Sequence, residues 1–380
     1  MLIRYGTDDA GRLVKKAVVY TKNEHLISNN DIDPDALQII TRLNDFGFTA
    51  YIVGGAVRDL IVGNKPKDFD IVTEATPSRI KKIFRNSRII GRRFKLVHVV
   101  FGSKIFEVST FRSNADGSVG NDFGSIEEDV LRRDFTMNAL YYDPNQNQII
   151  DYVGGFRDIK KRILRPVISI DRIFEEDPVR MLRAIKYSAT THAKMSHVLR
   201  HKIRASASLL SQVSPSRLTE ELLKILNSPF AMEIVSEAID TDLYIYLQPS
   251  ATSMIYDNRE FEKKYLESMK LLGDLNKSNP DERLGKKLVY FIRDFAQTLT
   301  NWPEEVLQKT SYTELYSKTW TECRNFVLPM NPMRRELEFA VRQILFDFGV
   351  RTQKNQKKKS IIQNASKASS SKATTGLGRL

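Results

Sequence analysis

The feature that most constrains this chain is a change of hydrophobic period near Asp171. Before it, short apolar runs of strand length are interleaved with helical spacings; after it the strand signals fade and helical spacing dominates. Segments 176–190, 216–227, 260–274 and 331–346 carry that helical spacing. The pattern predicts an α+β chain: an N-terminal domain with a mixed β-sheet and flanking helices, then a largely helical half. At 380 residues and 41% hydrophobic content, the chain is long enough for two or three domains with a substantial core.

Within the first half, residues 1–32 are polar and weakly periodic and read as an N-terminal arm, so the folded core is expected to begin at Asp33-Pro34. That dipeptide opens a helix with Leu37, Ile40, Leu43 and Phe46 on one face, which Gly47 ends. Tyr51-Ile52-Val53 reads as a strand, Gly54-Gly55 as a tight turn, and the segment from Ala56 as a helix start. Asp68-Phe69-Asp70-Ile71-Val72 alternates as a half-buried strand, Thr76-Pro77 opens a helix through Phe84, and strands follow at 95–101 and 104–110. Arg112 to Gly124 is a loop rich in Ser, Asn, Asp and Gly, after which Ser125 and Glu128 form a capping box for a helix expected to reach about Leu140.

Charge narrows the partners. The formal net charge is +13, and the residues after Val350 hold eight of those charges without one carboxylate. Such a low-complexity basic tail, 351–380, cannot build a core and reads as disordered; a polyanionic partner or simple solubilisation accounts for it. Cys323 is the only cysteine, which rules out a disulfide framework or a thiolate zinc site within one chain and fits a reducing compartment. With no long apolar segment for a leader or a span, no membrane partner is expected and the reading is cytoplasmic.

Four groups of residues carry chemistry. On a strand, Asp68 and Asp70 project from one face while Phe69 and Ile71 take the other; two carboxylates so close suit a hard cation such as Mg²⁺, although a D-x-D alone is more often solvated strand polarity. Glu107, in an otherwise apolar strand, faces either solvent or the same cation. Gly54 and Gly55 with Arg58 form a turn able to present N–H groups to phosphate. Helical spacing puts Asp134 and Asn138 on one face beside Arg133. Asp177 before Pro178 is either a helix N-cap or a recognition group, and His98 within an apolar strand reads as a core histidine.

Four segments, GGAVRDLIVGNKPKDFDIV, EEDVLRRDFTMNALYY, DYVGGFRDI and EEDPVRMLRA, occur in the order seen in class II nucleotidyltransferases, with Ser214–Leu218 and Glu221-Leu222 resembling the family's next helical motif. That family comprises bacterial poly(A) polymerases and tRNA CCA-adding enzymes. The resemblance implies a catalytic head over 33–165, a neck over 166–230 that binds the base and RNA, and an RNA-binding helical body over 231–350. It implies transfer of a nucleoside monophosphate from NTP to an RNA 3′-hydroxyl, with Asp68 and Asp70 holding two Mg²⁺ and Glu107 as the third catalytic acid. Gly54, Gly55 and Arg58 would bind the triphosphate, Arg133, Asp134 and Asn138 the ribose and nucleotide, and Asp177, Arg180 and Arg183 the base.

The segment Ile89 to Val99, with Gly91-Arg92-Arg93-Phe94-Lys95-Leu96-Val97-His98, is similar to the signature of the bacterial poly(A) polymerases rather than of the CCA-adding members. The resemblance therefore implies ATP as substrate and RNA 3′ ends as acceptor, with CCA addition to tRNA as the alternative and RNA-decay factors as candidate protein partners. Arg92, Arg93 and the tail residues Lys357, Lys358 and Lys359 are expected to contact RNA. A phosphohydrolase would need a His-Asp pair that the helical half lacks, and the intact acids argue against a silent RNA-binding protein.

Overall fold

The computed structural model describes residues 2–7, 11–91, 96–113, 123–300 and 310–350. Arg92, Arg93, the tail with Lys357, Lys358 and Lys359, and positions 114–122 of the expected loop lie outside the described residues. The chain divides into two compact units, Met1–Ser206 and Ala207–Leu380.

In the first unit the described residues form a nine-stranded mixed sheet from β1 (Leu2–Thr7), β2 (Leu13–Thr21), β3 (Ala50–Val53), β4 (Asp70–Thr73), β5 (Ser87–Ile90), β6 (Leu96–Phe101), β7 (Lys104–Thr110), β8 (Leu140–Asp143) and β9 (Gln148–Asp151). Their order across the sheet is β1-β2-β9-β8-β3-β4-β7-β6-β5. Every pairing is antiparallel except β4 with β7. One face carries Tyr51, Val53, Val72, Phe111, Tyr141 and Ile150, packed under Val130 and Ile126 of the helix Ile126–Leu131.

The register has one consequence that positions the site. Tyr141 pairs with Val53 and Val53 with Asp70. Ile71 pairs with Val108 in the parallel ladder, which sets Asp70 beside Glu107, and Glu107 pairs with His98. Side chains at paired positions share a face. A single row thus crosses five strands, apolar at Tyr141 and Val53 and ionisable at Asp70, Glu107 and His98.

Several expectations need correction. The folded core does not begin at Asp33: β2 pairs with β9 through Val18↔Asp151 to Thr21↔Gln148, burying Ala17 and Val19. The helix expected from Asp33-Pro34 is Pro34–Asp45, capped by Asp33, but its buried face is Ala36, Ile39, Ile40 and Leu43, while Phe46 lies beyond its end and is exposed. The capping box forms as predicted, Ser125 N donating to Glu128 Oε2 (2.7 Å) and Glu128 N to Ser125 Oγ (3.3 Å). Its helix stops at Leu131, well short of Leu140. Asp134 Oδ1 takes the Phe135 N–H (2.7 Å), and Thr136 N donates to Arg165 O (2.9 Å), so one local and one long-range bond take N–H groups that a continuing helix would use. A 3₁₀ turn, Thr136–Asn138, and then β8 follow.

The motif DYVGGFRDI is a structural lock. Asp151 accepts the N–H groups of Val153 (3.1 Å), Gly154 (2.7 Å), Gly155 (3.0 Å) and Phe156 (3.0 Å), fixing the start of the helix Gly155–Lys161. The helix Val179–Thr191 closes the chemistry-bearing part of this unit.

The second unit bears out the helical reading: Pro215–Leu226, Ala231–Asp240, Pro249–Asp257, Arg259–Ser278, Leu284–Thr300, Tyr312–Phe326 and Arg334–Asp347 are helices. Its core holds Tyr244 and Tyr265, whose hydroxyls hydrogen-bond at 2.7 Å, with Phe291 and Phe326 beside them. Cys323 is buried there, its thiol pushed up to about 12 by burial. Among the described residues no helix is long and apolar enough to cross a membrane.

Candidate active site

The acidic end of the cross-sheet row is the first component. Asp70 opens β4, but Asp68 lies before that strand, so the two do not come from one ladder as the alternation predicts. Asp70 has solvent-accessible surface, yet protein crowds its recess. That desolvation, reinforced by Glu107 and Asp68 and opposed by Arg133, pushes its carboxyl up to about 6. Glu107 is half-exposed on the same sheet face as Asp70, whose carboxyl its charge pushes upward. His98 is not a core histidine: Val97 and Val99 are buried, but its Nε2 stands 3.6 Å from Glu107 Oε1. Among the described residues no three acidic, histidine or cysteine side chains already form a cation cage.

The second component is the turn after β3. Gly54 adopts φ +71° and ψ −136°, a conformation that L side chains rarely enter, and so turns the chain from strand into the helix Gly55–Ile61. A Cβ at Gly54 would stand 3.8 Å from Asp70 Oδ2 and 3.9 Å from Arg133 Nη1. The glycine therefore keeps open the space between an anionic and a cationic group.

Arg133 is held from behind. Its Nε donates to Tyr141 Oη (3.0 Å) and Asp129 Oδ2 (3.2 Å), its Nη2 to Asp129 Oδ2 (2.9 Å), and Tyr141 Oη in turn donates to Asp129 Oδ2 (2.7 Å). The guanidinium lies 4.9 Å from the Tyr141 ring centroid. Asp129 and Tyr141 raise the Arg133 pKa above its usual value against the desolvation that opposes it.

A third group surrounds Asp134 and Asn138. Arg58 Nη1 donates to Asn138 Oδ1 (2.8 Å), and Asn138 Nδ2 donates to Asp134 Oδ1 (3.1 Å). Asp134 Oδ2 pairs with Arg183 Nη2 at 3.0 Å. Arg58 and Arg183 lie 5.3 and 5.7 Å from the Tyr187 ring centroid, and Arg183 also donates to the Tyr187 hydroxyl. Arg58, expected with the glycines, thus joins the Asp134–Asn138 set as well as Asp59, whose Oδ1 takes its Nε and Nη2.

In the motif expected to recognise the base, Asp177 Oδ1 accepts the Val179 N–H (3.2 Å), so its capping role is real. Arg180 is buried and donates to Arg132 O (2.8 Å), Ile173 O (3.4 Å) and Glu176 Oε2 (3.2 Å). The structure brings Arg183, rather than Arg180, to the Asp134 group. Sequence reasoning missed Asp129, Tyr141 and Tyr187. The four-residue spacing of Asp129 and Arg133 was a usable signal, and the other two are placed only by the fold.

Comparison with known proteins gives the family. Residues 50–165 match the family model described as "Poly A polymerase head domain", and residues 194–255 one described as "Probable RNA and SrmB- binding site of polymerase A". The chain is 35% identical to poly(A) polymerase I of Salmonella typhi over 334 residues, 82% of this chain and 72% of that protein. It is 39% identical to the CCA-adding enzyme of Geobacillus thermodenitrificans over 218 residues, 56% of this chain and 54% of that protein. Among solved structures, the Bacillus stearothermophilus CCA-adding enzyme in complex with CTP aligns with a TM-score of 0.57 at 28% identity, covering 84% of this chain and 85% of that one. The chain belongs to the class II nucleotidyltransferase family of poly(A) polymerases and CCA-adding enzymes.

Proposed function

We propose that this chain adds adenylates to RNA 3′ ends without a template, transferring AMP from ATP to the terminal 3′-hydroxyl and releasing pyrophosphate, with Asp68, Asp70 and Glu107 as its catalytic acids. The observation that carries the assignment of residues is the row placing Asp70 beside Glu107, next to an open glycine turn faced by Arg133. The poly(A) polymerase likeness runs over 82% of the chain, against 56% for the CCA-adding relative, which supports adenylation.

The acids fit a divalent cation: their oxygens are hard ligands, and the crowding that pushes Asp70 upward is relieved by positive charge. Bound Mg²⁺, two ions in this proposal with Asp68 and Asp70 as their protein ligands, supplies Lewis acidity to the attacking hydroxyl and charge neutralisation to the leaving pyrophosphate. The chain does the rest. Gly54 and Gly55 let phosphate approach the backbone, with Arg58 and Arg133 as counter-charges. Asp134 and Asn138, braced by Arg58 and Arg183, orient the ribose. Asp177, Arg180 and Arg183 select the base; Arg180 must exchange at least one of its present carbonyl or carboxylate contacts to do so. Arg92, Arg93 and the tail lysines Lys357, Lys358 and Lys359 attract the RNA backbone.

Asp68→Ala and Asp70→Ala test the assignment. Both are expected to abolish AMP transfer to labelled oligoadenylate while melting temperature and RNA binding stay close to wild type; near-normal turnover in either contradicts it.

A further inference from the structure

We infer that Asp129 and Tyr141 are positioning residues that aim Arg133 at the phosphates of ATP, on the side from which pyrophosphate leaves, rather than at the ribose. The inference rests on the nucleotidyl-transfer reading and adds a division of labour within it.

Three observations carry it. First, the ribose group is complete without Arg133. Asp134 Oδ1 takes the Phe135 N–H and Asn138 Nδ2 while Oδ2 forms no hydrogen bond and is ion-paired with Arg183, and the Asn138 side chain is held by Arg58 and Asp134; Arg133 reaches only the main-chain oxygen of Asn138, at 3.3 Å. Second, the same Nη1 that reaches Asn138 O also faces the glycine turn. Nη1 and the Asp70 carboxylate both lie within 4 Å of the one point that a Gly54 Cβ would occupy. A cation and a metal-type acid flanking an opening kept clear by glycine suit a phosphate chain, whose oxygens are shared between counter-charges.

Third, the orientation is fixed by a directional relay. Tyr141 Oη gives its single proton to Asp129 Oδ2 (2.7 Å), so toward Arg133 Nε–H (3.0 Å) it can only accept. Asp129 is itself anchored, Oδ1 taking the Arg112 N–H (3.3 Å). Tyr141 is fully buried in the same cross-sheet row as Asp70, with Val53 between them. The rigid ladder thereby sets the distance from the relay to the acids, and a swing of Arg133 would break two bonds to Asp129 and one to Tyr141.

The test uses Tyr141→Phe, which keeps the ring and removes the relay, in the full chain. Pyrophosphate affinity is measured by calorimetry with Mg²⁺ and as an inhibition constant, alongside KM for ATP, KM for oligoadenylate, the ATP to 2′-deoxyATP ratio of kcat/KM, and the melting temperature. Pyrophosphate affinity and KM for ATP should each worsen about five- to tenfold, the effect of misplacing one charge-assisted contact. The ATP to 2′-deoxyATP ratio and KM for oligoadenylate should stay within about twofold, which a general loosening of the head would not allow. Unchanged pyrophosphate affinity overturns the inference, as does a change in the deoxynucleotide ratio as large as that in pyrophosphate affinity. Should Tyr141→Phe melt below the assay temperature, Asp129→Asn carries the same comparison. A wild-type chain that adds no AMP to oligoadenylate would instead defeat the proposed function itself.

Discussion

Two adjacent glycines should respond to the same substitution in different ways. At Gly155 an added Cβ would stand 2.0 Å from Thr136 O and 2.8 Å from Thr136 C, both backbone atoms. Neither side can retreat easily: Asp151 holds the Gly155 and Phe156 N–H groups, while Thr136 is tied to Arg165 O through its N–H and to Asp158 Oδ2 through its hydroxyl (2.8 Å). The backbone must open by roughly 1 Å, and overpacking of that kind costs about 3 kcal/mol. For a unit of this size about 1 kcal/mol moves Tm by roughly 2–4 °C, so Gly155→Ala should melt about 6–12 °C lower. At Gly154 nothing is closer than Arg157 Nη2 at 3.6 Å, and the only penalty is its left-handed backbone, φ +85°. That costs about 1 kcal/mol, or roughly 2–4 °C. The clash at Gly155 also displaces the turn carrying Asn138, so KM for ATP should rise in Gly155→Ala and hold in Gly154→Ala. Scanning calorimetry with ATP titration of initial rates reads both. Equal losses, or a milder Gly155→Ala, would refute the packing argument.

Further outcomes follow from individual contacts. Asp70→Asn should abolish AMP transfer yet stabilise the protein in EDTA at pH 8. The native carboxyl titrates at about 6, above its ordinary 3.8, so its contribution is full below pH 4 and lost as pH rises through 6. Discounted for solvent exposure the gain is about 1 kcal/mol, or roughly 2–4 °C, and no gain at pH 8 would contradict it. Asp151→Ala removes one acceptor from four N–H groups and should cost at least about 3 kcal/mol by urea titration. Arg183→Ala leaves Asp134 Oδ2 without its cation and should raise KM for ATP about tenfold, while KM for oligoadenylate changes little. Deleting 351–380 removes eight positive charges and should raise KM for RNA and flatten its salt dependence, with KM for ATP unchanged.

What could be read from the sequence was local. The Ser125–Glu128 box and the Asp33-Pro34 helix start join partners within three residues, so composition alone specifies them. Helical spacing after Asp171 was equally plain because each helix buries one stripe of its own. β8 was hidden for the opposite reason: Leu140, Tyr141 and Tyr142 are all fully buried, which erases the alternation that marks a half-buried strand. β1 (LIRYGT) and β2 (LVKKAVVYT) carry apolar residues without a clean alternation and gain their identity from pairing, β2 onto β9 and β1 onto β2. Within the site, the acids and glycines were legible from motif order. The row linking Tyr141, Val53, Asp70, Glu107 and His98 was not, since strand register is a property of the assembled sheet. The inward turn of Arg180 likewise depends on the Arg132 carbonyl, 48 residues away in sequence.

The central claim, untemplated adenylation, is tested most directly by offering the full chain with Mg²⁺ a labelled oligoadenylate and a tRNA lacking its terminal CCA, each with ATP or CTP alone. The account predicts a growing ladder of added AMP on oligoadenylate with ATP and negligible incorporation from CTP on either RNA. Equal use of CTP and ATP, ending once CCA is rebuilt on the tRNA, would contradict it.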